Sequence, residues 1–294
     1  MISIKNLCKY YTKGNNVLDD ISLEINDGCI FGLVGINGAG KTTFLRSLCG
    51  VFSPSSGQVL IDNNDIHKDP YIKKDLFFLS DEIFYGHNTK GVDLLKFYQT
   101  FYNIDVDLFY KYVKNLNLNP KAVIRNFSKG MKRQLSLCFA LAIKPKYLLI
   151  DEAFDGLDPL VRVKFKEIIK EYVKKNNTTL IISSHSLKEL EDFVDIIGLL
   201  QNGKIEINGN ESFKQGSYKK IQFVIKDQKT LILISELANI HNFTFNGSIG
   251  HFIVDTNVFN IEDFKSKFDL IFVEEVELNL EELFILSSKE KHDE

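Results

Sequence analysis

The stretch Gly35-Ile36-Asn37-Gly38-Ala39-Gly40-Lys41-Thr42 constrains this chain more than any other. It satisfies the phosphate-loop (Walker A) pattern G-x-x-x-x-G-K-[ST]. Ahead of it, Ile30-Phe31-Gly32-Leu33-Val34 is short and apolar and reads as a buried strand. Behind it, Thr43-Phe44-Leu45-Arg46-Ser47-Leu48-Cys49 carries apolar residues at helical spacing. A strand, a glycine loop and a helix, in that order, form the context the motif needs. Glycines let successive N–H groups turn towards one anion. The helix N-terminus adds a partial positive charge at the same point. Lys41 can then reach the β- and γ-phosphates of a nucleotide, and Thr42 can ligate Mg²⁺.

Two strands precede this loop: Ile2 to Leu7, and Val17 to Ile25 with clear period-two alternation, with Asn26-Asp27-Gly28 as the turn between the second and the loop strand. Pro54-Ser55-Ser56-Gly57 breaks the chain after the loop helix, and Gln58 to Ile61 reads as another strand. Asp75 to Glu82 holds a short strand that runs into carboxylates. A helical region rich in Phe and Tyr follows, with Val92, Leu95, Tyr98, Tyr102, Leu108, Tyr112, Val113 and Leu116 at helical spacing. The stripe reads as core, yet Phe84, Tyr85 and the Phe97–Tyr102 stretch are more aromatic than one small helical layer needs, and an exposed apolar docking cleft is expected there.

Phe127-Ser128-Lys129-Gly130-Met131-Lys132-Arg133-Gln134 opens an apolar helix through Leu141, with Ser128 as its N-cap and Pro145 beyond its end. Tyr147-Leu148-Leu149-Ile150 is an apolar strand that ends in Asp151-Glu152. Acids at the carboxyl end of a buried strand sit where open α/β sheets bind ligands. Asp151 fits the holding of Mg²⁺ and Glu152 the polarising of an attacking water. Gly156-Leu157-Asp158-Pro159 is a turn into an amphipathic basic helix, Leu160 to Val173. Thr179 to Ser183 is a β-branched strand, and His185 after it is a candidate phosphate sensor.

In this order the motifs resemble the nucleotide-binding subunit of ABC transporters over about residues 1–210, and most of all the ABC-2-type exporters of drugs, antimicrobial peptides and polysaccharides. The resemblance implies an α/β P-loop NTPase of ABC type: a mixed-sheet core, an antiparallel β subdomain and a helical subdomain at about 84–145. It implies ATP and Mg²⁺ as cofactors. Tyr11 matches the aromatic that stacks on adenine, with Val17 beside it, and Gly35, Asn37, Gly38, Ala39, Gly40, Lys41, Thr42 and Thr43 cradle the phosphates. Ser128 and Gly130 match the signature that meets the γ-phosphate held by a second ATPase subunit, and Asp158 belongs to the dimer-contact loop. Thr42 and Asp151 serve the metal, Glu152 is the general base and His185 the switch histidine, with Lys41 stabilising charge. Two departures stand out. Lys129 stands where the family signature usually has another glycine beside Gly130, as is common in the ABC-2 branch. The Q-loop glutamine, a water-mediated metal contact, falls near Asp81 or Glu82; Asp81 is taken as the metal residue.

From about Lys204 the composition shifts, and Gly209-Asn210 and Gln215-Gly216-Ser217 look like a linker. Beyond it a small α+β domain at about 215–288 is expected: strand Ile221–Ile225, helix Leu231–Ile240, a strand pair around Asn246-Gly247, helix Phe259–Phe268, strand Ile271–Val273 and a final helix Leu280–Leu286. Residues 289–294 read as a solvated, mobile tail. The net charge of −3 indicates no broad basic surface, so nucleic acid is not an expected partner. The longest apolar runs, such as Ile196–Leu200, are far short of the roughly 20 residues that span a membrane, and the N-terminus has no signal-peptide pattern. The four cysteines are scattered and read as reduced core residues of a cytosolic protein. Attachment to the inner face of the membrane would come through a transmembrane permease. The rival readings are a soluble ABC-type ATPase acting on ribosomes or DNA, which usually has two cassettes or long coiled-coil insertions, and an ATP-binding switch without hydrolysis, which the intact Glu152 opposes.

Overall fold

The structure, a computed structural model, describes residues 1–12, 14–81, 85–209, 218–237, 240–256, 258–276 and 282. The chain divides into two compact units, Met1–Gly209 and Asn210–Glu294. In chain order the first holds β1 (Ile2–Thr12), β2 (Asn15–Ile25), β3 (Ile30–Val34), α1 (Lys41–Leu48), β4 (Ser56–Ile61), β5 (Asn64–Asp65), β6 (Leu76–Leu79), α2 (Gly91–Tyr98), α3 (Val106–Asn115), α4 (Lys129–Ile143), β7 (Tyr147–Ile150), α5 (Pro159–Asn176), β8 (Thr179–Ser184), β9 (Ile196–Gln201) and β10 (Lys204–Gly209).

Six strands form the central sheet in the order β10-β9-β3-β8-β7-β6. The β9-β3, β3-β8, β8-β7 and β7-β6 pairs are parallel, and β10 closes the edge antiparallel to β9. β3, β7 and β8 are buried along their whole length, the state of a parallel strand covered on both faces, and this is why they read as unbroken apolar or β-branched runs. A second, antiparallel sheet has the order β2-β1-β4-β5. The apolar residues of β1, β2 and β4 meet α1 and the central sheet in one core around Leu7, Leu23, Phe31, Phe44, Leu48 and Val59.

β1 runs five residues beyond the expected Leu7, to Thr12. Register shifts with Asn6 at φ 47 break the alternation in this part, so the pattern weakens although the pairing with β2 continues. The extension carries Tyr11. β9 and β10 were not expected as strands; Ile196–Leu200 is an uninterrupted apolar run because β9 lies inside the sheet.

α2, α3 and α4 form the helical part. Phe139 of α4 stacks on Phe109 of α3 with centroids 4.7 Å apart, and Tyr98 and Tyr102 meet Phe77 of β6 edge-on. The aromatic stripe is therefore divided. Tyr98 and Tyr102 pack inward, whereas Phe97 and Phe101 stay 56% and 65% exposed. Tyr85 is half-buried under the Lys132 ammonium, and Phe84 lies outside the described residues.

The second unit runs β11 (Tyr218–Ile225), α6 (Gln228–Ser235), β12 (Ile240–Asn246), β13 (Ile249–Asp255), α7 (Ile261–Lys267) and β14 (Leu270–Val276). Its antiparallel sheet has the order β12-β13-β11-β14. A βαββαβ chain in that order is the ferredoxin-like arrangement, an α+β fold. Ile221, Phe223 and Ile225 alternate inward from β11 and meet Phe252 and Val254 of β13, Ile234 of α6 and Phe264 of α7. The expected final helix and tail fall outside the described residues apart from Glu282, which pairs with Lys220 at 2.7 Å.

All four cysteines are free. Cys49 and Cys138 belong to the core as expected, but Cys8 and Cys29 are only half-buried, a correction to the reading of all four as core. Among the described residues no helix is long and apolar enough to cross a membrane.

Candidate functional site

β3, β8 and β7 are adjacent and parallel, with Val34 opposite Ser184 and Ile150 opposite Ile182. The residues that follow them, Gly35, His185 and Asp151, therefore leave the sheet at one end. The glycine loop turns there, with the Ala39 N–H donating to the Ile36 carbonyl at 3.1 Å. Gly40 is the N-cap of α1 at φ 108, a backbone state that favours glycine, and a Cβ there would lie 3.0 Å from both Val17 Cγ1 and the Val17 carbonyl. No side chain caps α1, so its first N–H groups are left for an anion. Lys41, 5% exposed, folds back over the loop: its Nζ donates to the Gly35 carbonyl at 2.6 Å and the Ile36 carbonyl at 3.2 Å.

Asp151 is buried. Its Oδ2 accepts from Thr42 Oγ1 at 2.7 Å and its Oδ1 from Ser183 Oγ at 2.7 Å. The next residue, Glu152, joins the loop to the histidine: Oε1 lies 3.0 Å from Lys41 Nζ and Oε2 3.0 Å from His185 Nδ1. Burial alone would raise the Glu152 carboxyl, but the hydrogen bonds from His185 and Lys41 outweigh it and hold the carboxyl below its ordinary value. With the native value depressed, these contacts add stability above the ordinary carboxyl range. That contribution is lost as pH falls through the lowered value. Glu152 sits at φ 47, a left-handed backbone state that costs a non-glycine residue about 1–3 kcal/mol. Its N–H donates to Ser183 Oγ at 2.8 Å, and its carbonyl accepts from Arg133 Nη2 at 2.6 Å.

The segment carrying His185 is fixed from behind. Ser184 Oγ donates to Glu189 Oε2 at 2.7 Å and accepts from the Ser186 N–H at 3.0 Å, while Arg162 of α5 pairs with Glu189 at 2.7 Å. Tyr11 is 60% exposed, its Oη 3.0 Å from Thr43 Oγ1 and its ring edge-on to Phe52. It stands beside the loop largely exposed, with Lys9 Nζ 5.8 Å from its ring centroid. Val17 is half-buried against Gly40.

Ser128, Gly130 and Asp158 form a separate surface. Ser128 Oγ accepts from the Met131 N–H at 3.1 Å and caps α4. A Cβ on Gly130 would lie 2.9 Å from the Gly156 carbonyl, and Lys129 Nζ pairs with Asp155 Oδ2 at 2.6 Å, so the start of α4 packs on the turn before α5. Asp158 is the exposed N-cap of α5 and makes no side-chain cap bond. Among the described residues no hydrogen bond joins this surface to Lys41 or Thr42. Asp81 is exposed beyond β6, and its carboxylate has no hydrogen bond to Thr42 or Asp151; Glu82 lies outside the described residues.

Two contributors escaped the reading of the sequence. Ser183 holds both Asp151 and Glu152, and the only hint of it is a hydroxyl at the end of a buried strand. Arg133 is 4% exposed and lies in line with Leu137, Ala140 and Leu141 on the apolar face of α4, which marks it as buried despite its charge.

A phosphate loop facing an acid-tipped parallel strand and a histidine at one end of the sheet defines a P-loop NTPase. The family described as ABC transporter matches residues 18–155. The bacitracin transport ATP-binding protein BcrA of Bacillus licheniformis is 32% identical over 83% of this chain and 81% of its own length. The lantibiotic transport ATP-binding protein SrtF of Streptococcus pyogenes is 31% identical over 76% of this chain and 98% of its own. Among solved structures, an ATP-binding subunit of an ABC transporter shares the fold with a TM-score of 0.66 at 23% identity, covering 73% of this chain and 92% of that one. A dimeric bacterial ABC transporter cassette does so with a TM-score of 0.65 at 20% identity, covering 71% of this chain and 99% of that one. The chain belongs to the ABC transporter family, as an ATP-binding subunit of the exporter type. Its activity is ATP hydrolysis coupled to transport.

Proposed function

We propose that the chain binds ATP with Mg²⁺ through Tyr11, Val17 and the loop from Gly35 to Thr43, and cleaves the β–γ bond with Glu152 as general base. The observation that carries this reading is the placement of Glu152 between Lys41 and His185, one residue after the Thr42–Asp151 pair. A γ-phosphate entering the loop competes with Glu152 for the Lys41 ammonium. Once displaced, the carboxylate is free to take a proton from water, while Lys41 and His185 face the developing charge. Thr42 Oγ1 and Asp151 Oδ2, two hard oxygens 2.7 Å apart, fit Mg²⁺. Among the described residues no group of three or more His, Cys, Asp and Glu side chains could hold a metal alone, which suits a cation shared with nucleotide phosphates. When bound, Mg²⁺ would neutralise negative charge on the nucleotide phosphates.

In this reading the subunit works as a dimer. Ser128 and Gly130 complete the partner's ATP site, and Asp158 with the 86% exposed Leu160 lies at the contact. A separate transmembrane permease docks on the helical part, where Phe97 and Phe101 stand exposed, and keeps the subunit at the cytoplasmic face of the membrane. The cargo is a peptide antimicrobial or a drug, as the names of the bacitracin and lantibiotic relatives suggest. Expression of the chain with its permease in a sensitive host should raise resistance to such a compound, and Lys41→Ala should abolish the gain. Equal resistance with the Lys41 variant would refute ATP-driven export.

Tyr11→Ala tests the nucleotide end. Base–aromatic stacking is worth about 1–3 kcal/mol, so the Kd for ATP should rise about ten-fold or more. Tyr10, 41% exposed on the same strand, is the control. Unchanged affinity in Tyr11→Ala with loss in Tyr10→Ala would transfer the role.

A further inference from the structure

Arg133 is a buried cation whose described partners are all backbone carbonyls. Its Nη1 donates to the Ser80 carbonyl at 2.7 Å and lies 3.4 Å from that of Asp81. Its Nη2 donates to the carbonyls of Asp151 and Glu152, the latter at 2.6 Å, and its Nε lies 3.4 Å from that of Ala153. One guanidinium therefore ties the chain just beyond β6 to the chain just beyond β7. It projects from α4, five residues after the Ser128 cap. Such a fork suits arginine alone: its planar donors reach several acceptors at fixed angles, whereas a lysine ammonium is a single point on a flexible stem.

The carbonyls it selects matter more than their number. Glu152 holds a left-handed backbone at φ 47, and that backbone is gripped from both sides, its N–H by Ser183 and its carbonyl by Arg133 at 2.6 Å and by the Asp155 N–H at 3.2 Å. This conformation directs the carboxylate to Lys41 and His185. With the Arg133 hydrogen bond removed, the Glu152 carbonyl keeps only the Asp155 N–H at 3.2 Å, and the strained turn relaxes towards commoner backbone angles. The carboxylate then shifts relative to Lys41. The buried guanidinium also faces the charges of Asp81, Asp151, Asp155 and Glu152, which offset part of the cost of its burial, while its hydrogen bonds all go to backbone carbonyls.

We propose that Arg133 is a positioning residue for hydrolysis: it sets the backbone of Glu152 and ties it to the start of α4 and to the Ser80–Asp81 segment. The inference rests on Glu152 being the general base. It adds that the base is held by the helix whose first turn carries Ser128 and Gly130. A change at that helix end is thereby felt at the base through one side chain.

The test uses the full chain, assembled with its permease, assayed well below each variant's Tm. Arg133→Lys keeps the charge but cannot span both segments. Arg133→Met leaves no uncompensated cation and replaces it in the test if the lysine variant is unfolded. Turnover is expected to fall about 10–100-fold, the scale of a small misplacement of a catalytic group, with the Kd for a fluorescent ATP analogue held within roughly two-fold. The same substitution made in Glu152→Gln should cost little more, because groups acting through one another are not additive. A merely structural arginine would weaken binding and turnover together, and its loss would repeat in full in the Glu152→Gln background; either result overturns the proposal, as does wild-type turnover in the variant. Near wild-type turnover in Glu152→Gln alone is a different failure, that of the general-base assignment.

Discussion

Turnover is expected to fall about 10²–10⁴-fold in Glu152→Gln, the usual cost of losing a general base, with ATP affinity kept or improved. The improvement follows from the geometry. Glu152 Oε1 lies 3.0 Å from the Lys41 ammonium, the group on which the γ-phosphate is to settle, so carboxylate and nucleotide compete for one cation. Glutamine keeps the shape and removes the charge. Lys41 retains the Gly35 and Ile36 carbonyls, and the anion site becomes more positive. The Ser183 and Arg133 bonds go to the backbone of residue 152 and survive the substitution. The variant should therefore fold normally, bind ATP at least as tightly, and accumulate as an ATP-held dimer. Single-turnover hydrolysis, nucleotide titration and size-exclusion chromatography with and without ATP read the three parts. A rate near wild type would mean that another group positions the water, and the exposed Asp81 is the first to examine.

The phosphate loop, the acid pair and the histidine were legible because each carries its chemistry in a few adjacent residues beside an apolar strand. β3, β7 and β8 are short and buried on both faces, so their composition states their position. What was not legible depends on contacts across the fold. Nothing near Arg133 in sequence tells that its partners are the carbonyls of Ser80 and Glu152, separated from it by 53 and 19 residues. The left-handed backbone of Glu152 is equally silent, because it is imposed by Ser183 and Arg133 rather than by a glycine. The far half of β1 escaped because its bulges break alternation, β9 because a short apolar run inside a sheet has no period of its own, and β10 because it is the edge strand paired only with β9. Phe97, Tyr98, Phe101 and Tyr102 lie on successive turns, and only tertiary packing separates the two half-buried rings from the two exposed ones.

Lys41→Ala and Ser128→Asp are each expected to abolish nearly all hydrolysis as homodimers, and to restore one another on mixing. Lys41 is the ammonium at the phosphate loop; removing a group of this kind from a charge-stabilising site costs about 10²–10³-fold or more. Ser128 is exposed at the start of α4, and under the proposed dimer it is expected to meet the γ-phosphate held in the partner's site. Aspartate is the right probe there. It caps a helix as well as serine does, so the bond to the Met131 N–H is kept, yet it sets a negative charge against a phosphate. Gly130 is the poorer choice, because a Cβ at that position would meet the Gly156 carbonyl of its own subunit at 2.9 Å and would damage the fold of the subunit itself. In a mixed dimer one site collects both lesions and the other collects none. Random pairing makes about half the dimers mixed, so the mixture should recover roughly a quarter of wild-type turnover per subunit. The recovery should depend steeply on protein concentration, since the dimer assembles bimolecularly. The measurement is turnover of each variant alone and of the mixture, with differently tagged subunits to count mixed dimers. A wild-type monomer active at every dilution would show that each subunit completes its own site, whereas mixed dimers that stay at the sum of their parts would mean either that or that closure needs two intact sites.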